Sequence, residues 1–326
     1  MMLEILTNAP LNTVQDLGRA GSLPFGVSCG GVMDRTAFIL GNILVGNKPD
    51  AAGLEIVFFP FRIRFRQDCV FAITGAPAKV QLDAMPLPAC WSMKARAGQT
   101  LALEAPKKGM RSYLTVAGGV DVPTLLGGRS TDIKGSFGGF EGRGLQKGDL
   151  LSCGTTTASL PVPVNGLGLA AHPPMPDKDG VELHVLPAAE YEEFTEQAQA
   201  CLVQQPWRIT TQTNRVGFRL EGDSALQTRN PLSLLSHGLL PGTIQVPPSG
   251  QPIIQMADAN TCGGYPKIGI VSEPDLSFLS QMPPGGWIRF RMIDHEQALA
   301  RLRAHRQYLR QMAEQVDTAK SHILTK

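Results

Sequence analysis

The chain has 326 residues, 43% hydrophobic and 18% charged, enough to bury the core of two ordinary domains or one large β-rich unit. Thirty basic residues against 28 acidic ones leave a formal charge of +2, with no concentrated basic block outside the C-terminal arginines. That balance excludes nucleic acid or an anionic membrane as the main partner. No apolar stretch approaches the roughly 18 residues of a spanning helix, and the opening MMLEILTNAP lacks the basic and apolar regions of a secretion signal. The six cysteines (Cys29, Cys69, Cys90, Cys153, Cys201 and Cys262) are scattered without a CxxC pair. Their spacing points to reduced thiols in a cytoplasmic protein, with neither a disulfide framework nor a metal site.

In chain order, the first clear element is helical. In MDRTAFILGNILVGN, residues Ala37, Ile39, Leu40, Ile43 and Leu44 recur at helical spacing, Asp34 stands at the cap position and Gly46 supplies a stop. Short runs follow, such as RIRFRQDCVFAITG, KVQLDAMPL, TLALEAP and RSYLTVAGGV, broken by many of the 35 glycines and 25 prolines. RIRFR alternates, placing Ile63 and Phe65 on one face and the arginines on the other. Many short strands with such punctuation predict a mainly β protein, barrel or sandwich, rather than a parallel sheet with crossover helices.

The Pro/Gly-rich stretch 153–180 reads as a connection, dividing a β-rich subdomain at 1–155 from a second at 180–293. The second contains one expected helix over AAEYEEFTEQAQACL, with Tyr191, Phe194, Ala198 and Cys201 on its apolar face. A C-terminal helix, 294–326, opens at Asp294 with Gln297 in the capping-box position and runs to about Lys320. Leu299, Leu302, Leu309 and Met312 give it an apolar stripe for docking.

Three clusters carry the chemistry. VQDLGRAGSLPFGVSCGGVMDRTAF sets Asp16, Arg19 and Asp34 among glycines. It reads either as a loop packed by its own Asp–Arg pair or as a polar pocket wall. RSYLTVAGGVDVPTLLGGRSTDIKGSFGGFEGR supplies Arg111, Arg129, Ser130 and Thr131. Glycine-freed backbone N–H groups and forked arginines suit a phosphate or carboxylate, although the Walker A spacing is absent and barrel corners use the same glycines. TIQVPPSGQPIIQMADANTCGGYP carries Gln245, Gln255, Asp258, Asn260, Thr261 and Cys262. A buried carboxylate there must be paired or used, or Asp258 ties its loop as an Asx-turn. A Cys262–His237 nucleophile lacks a third orienting group. TNRVGFRLEG adds Asn214, Arg215 and Arg219 in a basic turn that a solvated surface explains equally well.

Taken in order, TVQDLGRAG, GVMDRTAF, NILVGN, RSYLTVAGGVDVPTLLGGRSTD, FGGFEGR, IQVPPSGQPI and ADANTCGGYPKI resemble the KipA-type, allophanate-hydrolase-subunit-2-like family that includes the C-type subunit of bacterial 5-oxoprolinase. The same motifs are similar to half of the carboxyltransferase region of urea carboxylase. The resemblance runs over about residues 3–293. It implies a cyclophilin-like β-barrel architecture and a tight complex with a KipI-type 5-oxoprolinase subunit. It also implies a separate, looser subunit of the LamB/YcsF type, and ATP-driven hydrolysis of 5-oxo-L-proline to L-glutamate. ATP would be held by the complex. Lys94 in WSMKA lacks the Met-Lys-Met context of a biotinylated lysine, so no biotin is expected on this chain. Two positions depart from the family's ADxQTTGGYP pattern: Asn260 stands for Gln and Cys262 for Thr.

On this resemblance the expected catalytic groups are Asp258, Arg111 and Arg129. Asp34, Asn260, Thr261, Gln245, Ser130 and Thr131 would bind a small lactam, and no metal is expected. The alternatives are a biotin-dependent carboxyltransferase component acting on urea or a similar amide, and a regulatory protein that binds a KipI-type kinase inhibitor.

Overall fold

The computed structural model describes residues 2–154, 163, 165–169, 175–176 and 180–324, so most of the connection expected at 153–180 lies outside the described residues. The chain divides into two compact units, Met1–Ala20 with Gly30–Met175 and Gln307–Lys326, and Gly21–Cys29 with Pro176–Arg306. The fold is mainly β, as the short punctuated runs predict.

The first unit holds two six-stranded sheets. One orders Leu150–Ser152, Met2–Ile5, Phe61–Phe65, Thr100–Leu103, Val80–Leu82 and Met85–Leu87. The other orders Leu167–Gly168, Trp91–Ala95, Cys69–Gly75, Ser112–Val116, Gly53–Ile56 and Thr13–Gln15. Their facing sides form one apolar core, including Leu3, Ile5, Ile63, Phe65, Phe71, Ile73, Leu54 and Leu114. RIRFR alternates as expected: Ile63 and Phe65 are fully buried, while Arg64 and Arg66 reach Glu4 on the neighbouring strand.

The second sheet's other side carries a polar row. Thr13 pairs with Glu55, Glu55 with Tyr113, and Tyr113 with Thr74, all four buried. Helix α1 (Arg35–Leu44) covers this side, and Thr74 donates to its Ala37 carbonyl at 2.7 Å. Gly41 is the residue of closest approach, because a Cβ there would lie 3.0 Å from both the Thr74 and Thr115 hydroxyls. Asp34 caps the helix by accepting from Ala37 N–H at 2.9 Å, and Gly46 follows its end at φ 73°.

The second unit is built on a closed seven-stranded barrel: Val181–Pro187, Lys267–Val271, Thr243–Gln245, Ile253–Gln255, Gly217–Glu221, Trp207–Ile209 and Trp287–Met292. Leu183, Val185, Trp207, Ile209, Phe218, Ile244, Ile254 and Ile288 are buried apolar residues of its strands. The helix expected over 188–202 is two elements. A 3-10 turn at Tyr191–Glu193 gives way to extended, fully buried Phe194, and Thr195 then caps helix α2 (Glu196–Gln204) through Ala198 N–H. Burying Phe194 and capping with Thr195 outcompete the continuous pattern. Ala198 and Leu202 are the buried residues of α2, whereas Cys201 is only half-buried.

Helix α3 spans Glu273–Ser280, and α4 spans His295–Leu324. The predicted capping box is present: Gln297 N–H donates to Asp294 at 2.8 Å, and Asp294 N–H to the Gln297 amide at 3.1 Å. In the second unit the start of α4 is tied down by Asp275, which accepts from Arg301 at 2.5 Å and from the His184 backbone at 2.7 Å. In the first unit Val316 joins a cluster with Leu44, Val45, Ala72 and Ala117, and Met312 is also buried. The docking stripe therefore continues past Met312 to Val316.

Candidate functional site

The first two sequence clusters interlock within the first unit. Asp16 accepts N–H bonds from Gly18 at 2.8 Å and Arg129 at 2.6 Å, and the Ser130 hydroxyl donates to the same carboxylate. Its carbonyl receives Val32 N–H, which draws in the segment leading to Asp34. Arg19 is fully buried, donates to the Ser130 carbonyl and lies 4.6 Å from the Phe137 ring centroid. Thr131 donates to the Val14 carbonyl at 2.8 Å. The hydroxyls of Ser130 and Thr131 thus point into the protein and lace the GGRSTD loop to the VQD strand. Arg129 is more open. Among the described residues its side chain makes one hydrogen bond, from Nε to the Val122 carbonyl at 3.3 Å, so its terminal nitrogens can meet an anion.

Asp34 and Arg111 belong to a buried polar centre with Glu55 and Tyr113. The Tyr113 hydroxyl donates to Glu55 at 2.9 Å and accepts from Asp34 N–H at 2.8 Å, while Met33 N–H also donates to Glu55 at 2.8 Å. Burial pushes the Tyr113 phenol well above its ordinary value; the Glu55 and Asp34 carboxylates add to this, and Arg111 opposes it. Burial likewise pushes the Cys90 thiol up to about 11, with Asp34 adding to the shift. Sequence reasoning missed Glu55 and Tyr113 as partners of Asp34. The available signal was an acid inside the apolar run GLEIVFF.

In the second unit Asp258 has a partner that the sequence did not reveal. Arg215 grips its carboxylate with two prongs, Nε at 2.7 Å and Nη2 at 2.9 Å, and Asp258 N–H donates to the Arg215 carbonyl. Within the basic turn Arg215 is half-buried, while Asn214 and Arg219 are exposed; Asn214 accepts from Val216 N–H at 2.8 Å as an Asx-turn. Asn260 is exposed, Thr261 is half-buried and Cys262 is exposed.

Gln245 and Gln255 lie on adjacent barrel strands, and Gln255 Nε2 donates to the Gln245 side-chain oxygen Oε1 at 2.9 Å. Cys262–Gly263 pairs with His237–Gly238 as a separate two-stranded ribbon. Around this ribbon, His237 lies 3.5 Å and Lys267 3.7 Å from Glu190. An open groove of about 690 Å³ adjoins it, lined by residues that include Leu226, Pro231, Leu234, Pro247, Ser249 and Tyr265. Among the described residues no His, Cys, Asp and Glu groups cluster as a metal site, and no helix is long and apolar enough to cross a membrane.

Residues 25–292 match the carboxyltransferase domain family, subdomains A and B. The chain is 40% identical to the C-type subunit of 5-oxoprolinase from Escherichia coli K12, over 96% of its own length and 98% of that protein. Identity to the corresponding 5-oxoprolinase subunit of Haemophilus influenzae is also 40%, over 97% of this chain and 99% of that one. The crystal structure of the K. lactis urea amidolyase superposes with a TM-score of 0.87 at 26% identity, covering 95% of this chain. The match spans only 20% of the amidolyase.

Proposed function

This chain belongs to the carboxyltransferase domain family, subdomains A and B, and we propose that it serves as the C-type subunit of an ATP-dependent 5-oxoprolinase. One observation carries the reading: 40% identity over nearly the whole length of proteins that bear that subunit name. The partners would be a KipI-type 5-oxoprolinase subunit, held tightly, and one of the LamB/YcsF type, held more loosely.

A five-membered lactam resists water because its amide is resonance-stabilised. ATP, held by the assembled complex, supplies a phosphoryl group that activates the carbonyl oxygen. One water then opens the C–N bond and a second releases phosphate. We assign Arg129 and Arg111 in the first unit to anion stabilisation. Asp258 in the second unit is the acid–base candidate, with Arg215 fixing its orientation. Thr261 and Asn260 follow it in the same loop.

Two measurements test the reading. Cells lacking the gene, and without a paralogue, should fail to grow on 5-oxoproline as sole nitrogen source; normal growth overturns the assignment. The purified chain alone should release no glutamate from 5-oxoproline and ATP; turnover by the chain alone overturns the shared-complex reading.

The urea amidolyase likeness favours a second reading, biotin-dependent carboxyl transfer to a urea-like acceptor. Avidin separates the two: the 5-oxoprolinase reading expects activity that avidin leaves unchanged, and the transfer reading expects its loss.

A further inference from the structure

We propose that Gln255 and Gln245 together form the recognition subsite for the cis-amide edge of a cyclic amide, covered in this structure by the Cys262–Tyr265 segment. The proposal rests on the reading of the substrate as a small lactam or ureide, and it adds Gln255 as a specificity-determining residue.

The argument starts from the two side-chain amides. Both are buried, at 4% and 5% exposure. Each amide has one oxygen acceptor and two N–H donors. Gln255 spends an N–H on the Gln245 oxygen at 2.9 Å, which leaves its own Oε1 buried without a hydrogen-bond partner among the described residues. A buried acceptor left in that state is unfavourable, and a donor brought to it is favoured. Beside it, among the described residues the Gln245 nitrogen reaches only the Tyr265 carbonyl, at 3.5 Å, beyond the range of a good N–H···O bond. The pair therefore presents an acceptor on Gln255 and an underused donor on Gln245.

A five-membered lactam or cyclic urea holds its N–H and C=O on one edge because the ring enforces the cis amide. Its N–H can donate to Gln255 Oε1 while its oxygen accepts from Gln245 Nε2. An open-chain secondary amide is trans and places the two groups on opposite edges, so it cannot satisfy both glutamines at once. Both glutamines stand on neighbouring strands of a closed barrel, with Ile244 and Ile254 paired between those strands and fully buried. That wall holds the amides at a set spacing.

The cover is built differently from the wall. Among the described residues its strand Cys262–Gly263 pairs only with His237–Gly238, over a two-residue register, and Leu239 N–H adds one bond to the Thr261 carbonyl at 3.0 Å. Gly263 lies directly on the Gln245 amide, where a Cβ would come within 2.7 Å of Nε2. Leu235 beside the ribbon is 91% exposed, while Leu239 is buried and lies against Gly263, where a Cβ would come within 3.0 Å of its Cδ1, so the ribbon's apolar anchoring centres on one side chain. The contact of His237 Nε2 with Glu190 at 3.5 Å ties the ribbon to the barrel side. Lifting this short ribbon uncovers the amide pair from the side of the groove that Gly264, Tyr265 and Pro266 help to line.

Binding to the full-length chain, measured by calorimetry or ligand-detected NMR, tests the subsite without requiring turnover. A failure of the 5-oxoprolinase assignment therefore remains separate from a failure of the subsite. The probes are 2-pyrrolidinone, 2-imidazolidinone, N-methyl-2-pyrrolidinone and open-chain N-methylacetamide. The two cyclic N–H compounds should bind, and N-methyl-2-pyrrolidinone and N-methylacetamide should bind about tenfold or more weakly, the usual effect of one lost buried hydrogen bond. Gln255→Leu, with an unchanged circular dichroism spectrum, should lose a similar factor for pyrrolidinone. In the assembled enzyme it should raise KM for the lactam by that factor and change kcat less. Equal affinity for pyrrolidinone and its N-methyl derivative, or wild-type binding by folded Gln255→Leu, overturns the proposal, as does no binding of either cyclic N–H probe. The comparison between the two pyrrolidinones uses only the unmodified chain, so it decides the matter even where the variant fails to fold.

Discussion

Arg215 and Asp258 form a two-pronged ion pair across 43 residues of sequence, at 2.7 and 2.9 Å, with both side chains less than one-fifth exposed. The pair fixes where the ADANTCGG loop leaves the barrel, because Asp258 N–H also bonds the Arg215 carbonyl. Lysine cannot reproduce the fork. Two outcomes separate bracing from acid–base duty. If Asp258 moves a proton, Asp258→Asn should lower turnover of the assembled enzyme by about 10²-fold or more, while Arg215→Lys loses much less. Melting temperature should drop similarly in both variants. Equal losses of activity and stability in the two would reduce Asp258 to a brace, and a double-mutant cycle would measure the coupling directly.

Tyr113→Phe removes the hydroxyl that joins Glu55 to the Asp34 backbone. A buried carboxylate and a buried N–H each lose a partner, so denaturant unfolding should show a loss of about 1–3 kcal/mol. A variant as stable as wild type would mean that Met33 N–H and other neighbours suffice for Glu55.

Thiol labelling should separate the cysteines by burial. Cys262 is exposed, while burial pushes Cys90 up to about 11 and Cys153 up to about 12 and raises Cys69 further. Native protein at about pH 8 should therefore modify Cys262 first and leave those three intact until unfolding. Cys262→Ser should keep turnover within about threefold, since a nucleophile would cost several orders of magnitude. Abolished turnover with normal assembly would restore Cys262 as a nucleophile.

His305 introduces a pH dependence of stability. Burial holds its imidazole below the ordinary 6.5, with Glu273 opposing. The unfolded chain therefore takes up this proton before the folded one does. Stability is lost as pH falls from 6.5 to the folded value, and above 6.5 the residue makes no difference. Replacing it in His305→Gln should flatten the decline in unfolding midpoint between about pH 7 and about pH 5. An unchanged slope would place the acid sensitivity elsewhere.

The features legible in the sequence depend on neighbours three or four residues away, or on strict alternation. Asp34 caps α1 through Ala37, and Asp294 and Gln297 close a box at the start of α4. Ile63 and Phe65 face the core while Arg64 and Arg66 reach Glu4 on the other face. In each case the backbone geometry of a single element sets the partner or the face. The split at Phe194 was not legible, because helical spacing alone does not register the burial of one extended aromatic residue between a 3-10 turn and a capped helix.

The sequence by itself determined that the chain is mainly β, where its first and last helices begin, and which three segments concentrate polar groups among glycines. Only the tertiary structure decided how those groups pair. Tyr113 meets Glu55 because their strands are neighbours in register, Gln255 meets Gln245 across adjacent barrel strands, and Arg215 reaches Asp258 where a strand entry lies beside a strand exit. The physical reason is that strand register brings distant residues together, and register follows from which faces bury their apolar side chains across the whole sheet. Local spacing contains no such information, so a carboxylate that reads as a lone acid in MADANTCGGYP is, in the folded chain, held in the fork of an arginine.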